Sequence, residues 1–262
     1  MAFHTDCGTI LVGHLALSAD LLGQQVPWSL LQRWLANDER ERLQELRQSA
    51  DRWRMLAGRA VMRHCLRAYY GIAFARFTYG QHNKPLLMQA KNTSVDWAGP
   101  IDANLTHDGH HIIAAFCASG DVGVDVANLD DFTVWADFAE DYLGAEEIAL
   151  VQSAPKKEQP LLALRFWTIK EAILKSTGHG LNVDPREIVL APDAPCRIVR
   201  LPPDLPPVSA FNLHEWQISA LSRASLAYVQ RATTSGSRSK VSPLPALQFI
   251  VIPEQLLMPI HT

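Results

Sequence analysis

Two carboxylates and a short run of cations are the residues of this chain best suited to chemistry. Val122-Gly123-Val124-Asp125-Val126-Ala127 alternates as a strand does, which puts Val122, Val124 and Val126 in a core and turns Gly123, Asp125 and Ala127 the other way. A carboxylate between two small side chains leaves room for a ligand or ion, and hard oxygen donors of this kind suit magnesium. Alone, the same pattern fits a solvent-facing aspartate at a strand end. In Phe166–Lys175 (FWTIKEAILK), Glu171 and Lys175 are four apart and share a helix face. An exposed pair of that kind contributes only about 0.3–0.5 kcal/mol. Here apolar residues nearly encircle the pair, Lys170 adds a second cation, and Ser176-Thr177-Gly178-His179-Gly180 ends the helix. The expectation is a buried Glu171 between Lys170 and Lys175, suited to a highly charged phosphate and a metal. Asn104-Leu105-Thr106-His107-Asp108-Gly109 sets a histidine at a strand end, where its ring can meet an anion or simply occupy a polar turn. In Asn83-Lys84-Pro85 the proline extends the backbone at Lys84 and aims one cation from a loop.

The elements that position these residues follow from periodicity. Residues 9–17 read as a strand, 27–47 as a helix with Leu30, Leu31, Trp34 and Leu35 on one face, and 51–70 as the clearest helix, stopped by Gly71. The charged run 40–47 should face solvent or an anion. Short apolar runs lie at 77–79 and 86–88, and 111–117 and 122–126 read as strands about the turn Ser119-Gly120. Helices are expected over 131–152 and 160–177, the latter closed by Gly178 and Gly180. Strands are expected at 187–190, 197–201, 215–221 and 225–230, with the proline-rich stretch 191–207 mostly loop. Residues 232–243 have linker composition. The apolar tail 244–262 can dock on the body, pair as an edge strand or stay disordered.

At 262 residues the chain can bury a substantial core. Its net charge of -3 argues against a nucleic-acid partner, which calls for a basic stripe. Cys7, Cys65, Cys117 and Cys196 are dispersed, with neither CxxC nor zinc spacing, as expected of free thiols in a reducing compartment. There is no long apolar run and no signal-peptide pattern, so neither a membrane nor secretion is expected, and the protein is placed in the cytoplasm.

Taken in order, NKP at 83–85, NLTH at 104–107, GVD at 123–125 and WTIKEAILK at 167–175 followed by GHG resemble the Sfp-type 4'-phosphopantetheinyl transferases, of the holo-acyl-carrier-protein synthase superfamily. The segment AGRAVMRHCL at 57–66 matches as well, and the resemblance runs over roughly residues 10–230. It implies an α+β fold of two similar subdomains related by a pseudo-two-fold, 1–118 and 119–231, followed by a linker and tail at 232–262. It implies transfer of the 4'-phosphopantetheine group of coenzyme A to a serine of an apo acyl or peptidyl carrier protein, with 3',5'-ADP released, by a monomer that uses Mg2+. Asp125 and Glu171 would be metal ligands, and Glu171 or a metal-bound water would take the serine proton. His107 would meet the 3'-phosphate, with Thr106 and Asn104 beside it. Lys84 would meet the nucleotide, Arg42 would bind an anion, and Lys170 and Lys175 would hold the pyrophosphate. Where many relatives carry a glutamate as third ligand this chain has Ala127, a vacancy that a water can fill. That departure motivates two rivals: a coenzyme A- or carrier-binding relic without turnover, and an unrelated structural α+β protein.

Overall fold

The computed structural model describes residues 9–79, 84–87, 101–231 and 245–258. The chain is α+β, as expected. β1 (Thr9–Ala16) leads through three short helices, α1 (Ala19–Leu22), α2 (Trp28–Trp34) and α3 (Asn37–Glu45), to the long α4 (Ser49–Tyr70). A small hairpin, β2 (Phe77–Tyr79) and β3 (Pro85–Leu87), precedes β4 (Asp102–Asp108), β5 (His111–Cys117) and β6 (Gly120–Asn128). The second half holds α5 (Ala139–Tyr142), α6 (Ala145–Ser153), α7 (Gln159–Thr177), β7 (Val189–Ala191), β8 (Arg197–Arg200), β9 (Phe211–Gln217) and β10 (Ser222–Gln230). β11 (Ala246–Ile252) closes the described chain.

Side-chain alternation along the strands builds four layers. On β1 and β5, Leu11, Leu15, Ile112, Ala114 and Phe116 face α4, while Ile10, Val12, Ile113, Ala115 and Cys117 face the second sheet. On β6 and β10, Val122, Val124, Val126, Ala224 and Leu226 meet that first sheet, and Ala127, Ala227 and Val229 turn to α7. The order is therefore α4, sheet β11-β1-β5-β4, sheet β6-β10-β9, α7. Both long helices end where the sequence put a glycine, Gly71 (φ 66°) and Gly178 (φ 71°), whose left-handed conformation other residues adopt at a cost.

Three expectations need correction. The helix read over 27–47 is two helices, broken at Leu35 and Ala36: Leu35 drops into the core in extended conformation, and the Glu39 carboxylate accepts from Ala36 N (2.8 Å) to restart the chain as α3. Glu39 is itself drawn inward by Arg59 and Arg63 of α4, both at 2.7 Å. The helix read over 131–152 is a chain of 3-10 turns (Leu129–Phe132, Trp135–Asp137) followed by α5 and α6. A Cβ on Gly144, between those two helices, would lie 3.0 Å from Arg186 O, a tight contact. The strand read over 215–221 starts earlier and stops at Gln217, before the turn into β10. Of the three fates open to the tail, it takes the edge strand: β11 runs parallel to β1, and Ile252 and Leu257 enter the α4 core.

Candidate active site

β6 is an edge strand, so the backbone amides on its outer side need partners from elsewhere. β4 supplies them. Its side chains at i, i+2 and i+4 form a ladder: Asp102 Oδ2 accepts from Val122 N (2.7 Å), Asn104 Oδ1 accepts from Val124 N (2.9 Å), and Thr106 Oγ1 donates to Asp125 Oδ1 (3.1 Å). On the other side of β6 lies α7. A Cβ on Gly123 would sit 2.0 Å from Ala172 O and 2.4 Å from Ser176 N, so only glycine lets the helix come this close. Thr168 and Ser225 share a hydroxyl hydrogen bond (2.7 Å) that ties α7 to β10 as well.

This close packing brings Asp125, Glu171 and Lys175 together. Lys175 Nζ lies 2.5 Å from Asp125 Oδ1 and 3.9 Å from Glu171 Oε2. Burial pushes the Asp125 carboxyl above its usual range; Lys175 works against that shift and the charge of Glu171 adds to it. A cleft of about 480 Å3 opens here, lined by His107, Asp125, Ala127, Tyr142, Trp167 and Glu171 among others. His107 stands at its rim, where desolvation of the ring, then Arg54 and Lys175, lower its pKa and Asp51 opposes them. Asp108 and Asp131 line the same cleft, so its mouth carries both signs of charge.

The carboxylate pair fits a divalent cation on the chemistry of its donors. Two hard oxygen groups face one cleft, and the fold already sets an ammonium between them, so positive charge is favoured where they meet. The set is two carboxylates rather than three: among the described residues no group of three or more His, Cys, Asp or Glu gathers around one point, and Ala127 lines the cleft without a donor.

Other residues singled out in the sequence go elsewhere. Lys170 is fully buried and bonds Glu147, Tyr142 O (2.9 Å) and Pro185 O (2.9 Å). Neighbouring helix positions are about 100° apart, so Lys170 cannot share the direction of Glu171. Glu171 is consequently not sandwiched between two lysines; it is partly exposed and sided by Lys175 alone. Lys84 Nζ is bound by Asp102 Oδ2 (2.8 Å), Ser176 O (3.2 Å) and Val122 O (3.3 Å), joining β4, α7 and β6. Its neighbour Asn83 lies outside the described residues. Asn104 is buried in the ladder, and Arg42 is exposed in the last turn of α3.

Two functional candidates were missed by sequence reasoning. Tyr142 OH donates to Glu171 Oε1 (2.8 Å), and its ring stacks on Trp167 with centroids 3.7 Å apart. Phe132 and Phe138 pack edge-on against the same Trp167. The aromatic spacing 132, 135, 138, 142 was the available signal, but reading one continuous helix there hid it. Arg54, near His107, lies four residues before Gly58 in α4, one of several arginines in that helix.

Comparison with known proteins finds similarity in both halves of the chain. Residues 23–119 match the family described as "4'-phosphopantetheinyl transferase, N-terminal", and residues 121–228 match the "4'-phosphopantetheinyl transferase superfamily". The chain is 28% identical over 171 residues to the 4'-phosphopantetheinyl transferase HetI of Nostoc sp., covering 64% of this chain and 70% of that protein. It is 26% identical to the 4'-phosphopantetheinyl transferase ffp of Bacillus subtilis, over 58% of this chain and 64% of that one. With the 4'-phosphopantetheinyl transferase AcpT of Escherichia coli O157:H7 it shares 30% identity over 50% of this chain and 60% of that protein. Since the matched segments adjoin, and the second contains Asp125, Glu171 and Lys175, the chain belongs to the 4'-phosphopantetheinyl transferase superfamily.

Proposed function

We propose that this protein transfers the 4'-phosphopantetheine group from coenzyme A to a serine hydroxyl of an apo acyl or peptidyl carrier protein. The serine oxygen bonds to the β-phosphorus, the bond from that phosphorus to the bridging oxygen breaks, and 3',5'-ADP leaves. The observation that carries the reading is the meeting of Asp125 from β6 with Glu171 from α7 in one cleft, with the Lys175 ammonium beside both. Family membership gives it independent support. Transfers of this kind depend mostly on positioning and charge neutralisation.

Asp125 and Glu171 are the residues that would hold Mg2+, which when bound would offset charge on the diphosphate. Lys175, already beside both carboxylates, binds the phosphate oxygens that gain charge as 3',5'-ADP departs. His107 at the rim, with Arg54 near it, receives the 3'-phosphate. Thr106 holds Asp125 in its rotamer through a 3.1 Å bond. Arg42 is proposed as a further anion contact from α3. For Lys84, Asn104 and Lys170 the bonds described above favour a part in holding β4, β6, α6 and α7 together rather than direct contact with coenzyme A.

The test is mass spectrometry of an apo carrier protein incubated with the enzyme, coenzyme A and Mg2+. A mass gain of one phosphopantetheine is expected, and it is expected to vanish in Asp125→Ala and in Glu171→Ala. Full transfer by either variant would refute the assignment of the carboxylates. Coenzyme A binding without any mass gain in the wild type would favour the relic.

A further inference from the structure

Tyr142 is the one side chain of the cleft whose hydroxyl reaches Glu171 in the described structure. It comes from α5, 29 positions before Glu171, and three features hold it in place. Its ring lies flat on Trp167, 23° from parallel, while Phe132 and Phe138 brace the far edges of the indole. Its backbone carbonyl accepts from the buried Lys170 ammonium, which Glu147 and Pro185 O also fix. Trp167 and Glu171 are one turn apart on α7, so the ring that stacks on the first necessarily presents its hydroxyl near the second. The phenol is thus held by its ring and its backbone, and the only polar group it offers to the cleft is a donor aimed at Glu171.

We infer that Tyr142 is the positioning residue for Glu171: its hydroxyl engages Oε1 and leaves Oε2, the oxygen facing Lys175, to meet a divalent cation. This inference rests on the proposed role of Glu171. It gains weight from Ala127, because with two carboxylates instead of three the orientation of each one matters more. Carboxylate ligands are commonly oriented by an outer hydrogen bond, and removing such a partner typically weakens metal binding by about 10–100-fold.

Tyr142→Phe removes the hydroxyl and keeps the ring on Trp167. Binding of Mn2+, followed by the loss of the free-ion paramagnetic resonance signal, is expected to weaken by about tenfold. The kcat for transfer is expected to fall at limiting metal and to recover as Mg2+ is raised, with KM for coenzyme A unchanged. In a Glu171→Gln background the same Tyr142→Phe change is expected to make no further difference to Mn2+ affinity. Mn2+ affinity within about twofold of wild type in Tyr142→Phe, or an undiminished effect in the Glu171→Gln background, would overturn the inference. Wild-type Mn2+ affinity in Glu171→Gln alone would instead overturn the site on which it rests.

Discussion

Lys170 and Lys175 are five positions apart in one helix and do different work. Lys175 stands partly exposed in the cleft between two carboxylates. Lys170, fully buried, holds Glu147, which in turn accepts from Gly144 N (3.0 Å) and Leu190 N (3.0 Å). A buried ion pair adds little over an apolar pair, but removing one partner leaves an uncompensated charge. Lys170→Met is therefore expected to lower unfolding free energy by about 3–5 kcal/mol, measured by urea denaturation. Coenzyme A affinity of the folded fraction should stay close to wild type; a loss of affinity with stability intact would restore Lys170 to the phosphate site. Nothing in the local sequence separates these lysines, since both flank Glu171 in an apolar helix. Their fates depend on Glu147, Tyr142 and Pro185, which are distant in sequence from the motif.

At the scale of elements, the geometry of the proposed site depends on how close α7 can come to β6. The alternation read in residues 122–127 was right, including the direction of Asp125, but the face opposite the core is covered by α7 instead of solvent. Gly123 permits that approach. Gly123→Ala places a methyl carbon against backbone atoms that cannot rotate away, Ala172 O and Ser176 N. The expected cost is about 3 kcal/mol, the upper end for overpacking, together with loss of transfer as Lys175 and Glu171 move off Asp125. Thermal unfolding and the carrier mass assay read the two effects; a variant with wild-type stability would refute the packing described. The β4 ladder is the second such device. Asp102, Asn104 and Thr106 are a period-2 set legible in the sequence, yet that the first two accept from amides of β6 and the third donates to the Asp125 carboxylate is visible only once the two strands are side by side.

For the whole molecule, acid stability sums opposed contributions. Burial raises Asp102, Asp125 and Glu147, so these groups favour the folded state more as pH falls. Histidines act the other way. His14 and His111, on adjacent strands with ring nitrogens 3.1 Å apart, are both lowered, first by burial and then by neighbouring histidines; His14 falls from 6.5 to about 4. Between those values the unfolded chain binds a proton that the native state refuses. The His14 contribution is therefore fully present above pH 6.5 and is lost as pH falls through about 4. Comparing wild type with His14→Gln isolates it: from about pH 7 to 5 the variant should gain about 1–2 kcal/mol relative to wild type, read by denaturant titration at each pH. A constant difference would show that His14 titrates normally. By itself the sequence determined both long helices with their glycine stops and most strands, because periodicity and turn chemistry are local properties, while the α+β class and the meeting of Asp125 with Glu171 were implied only by the family resemblance of the ordered motifs. The tertiary structure alone decided the breaks at 35–36 and 143–144, the edge pairing of β11, the burial of Lys170, and the bond from Tyr142 to Glu171. Each of these depends on which surfaces meet across tens of residues, and a hydrogen bond or ion pair forms with whatever partner the packing brings within about 3 Å.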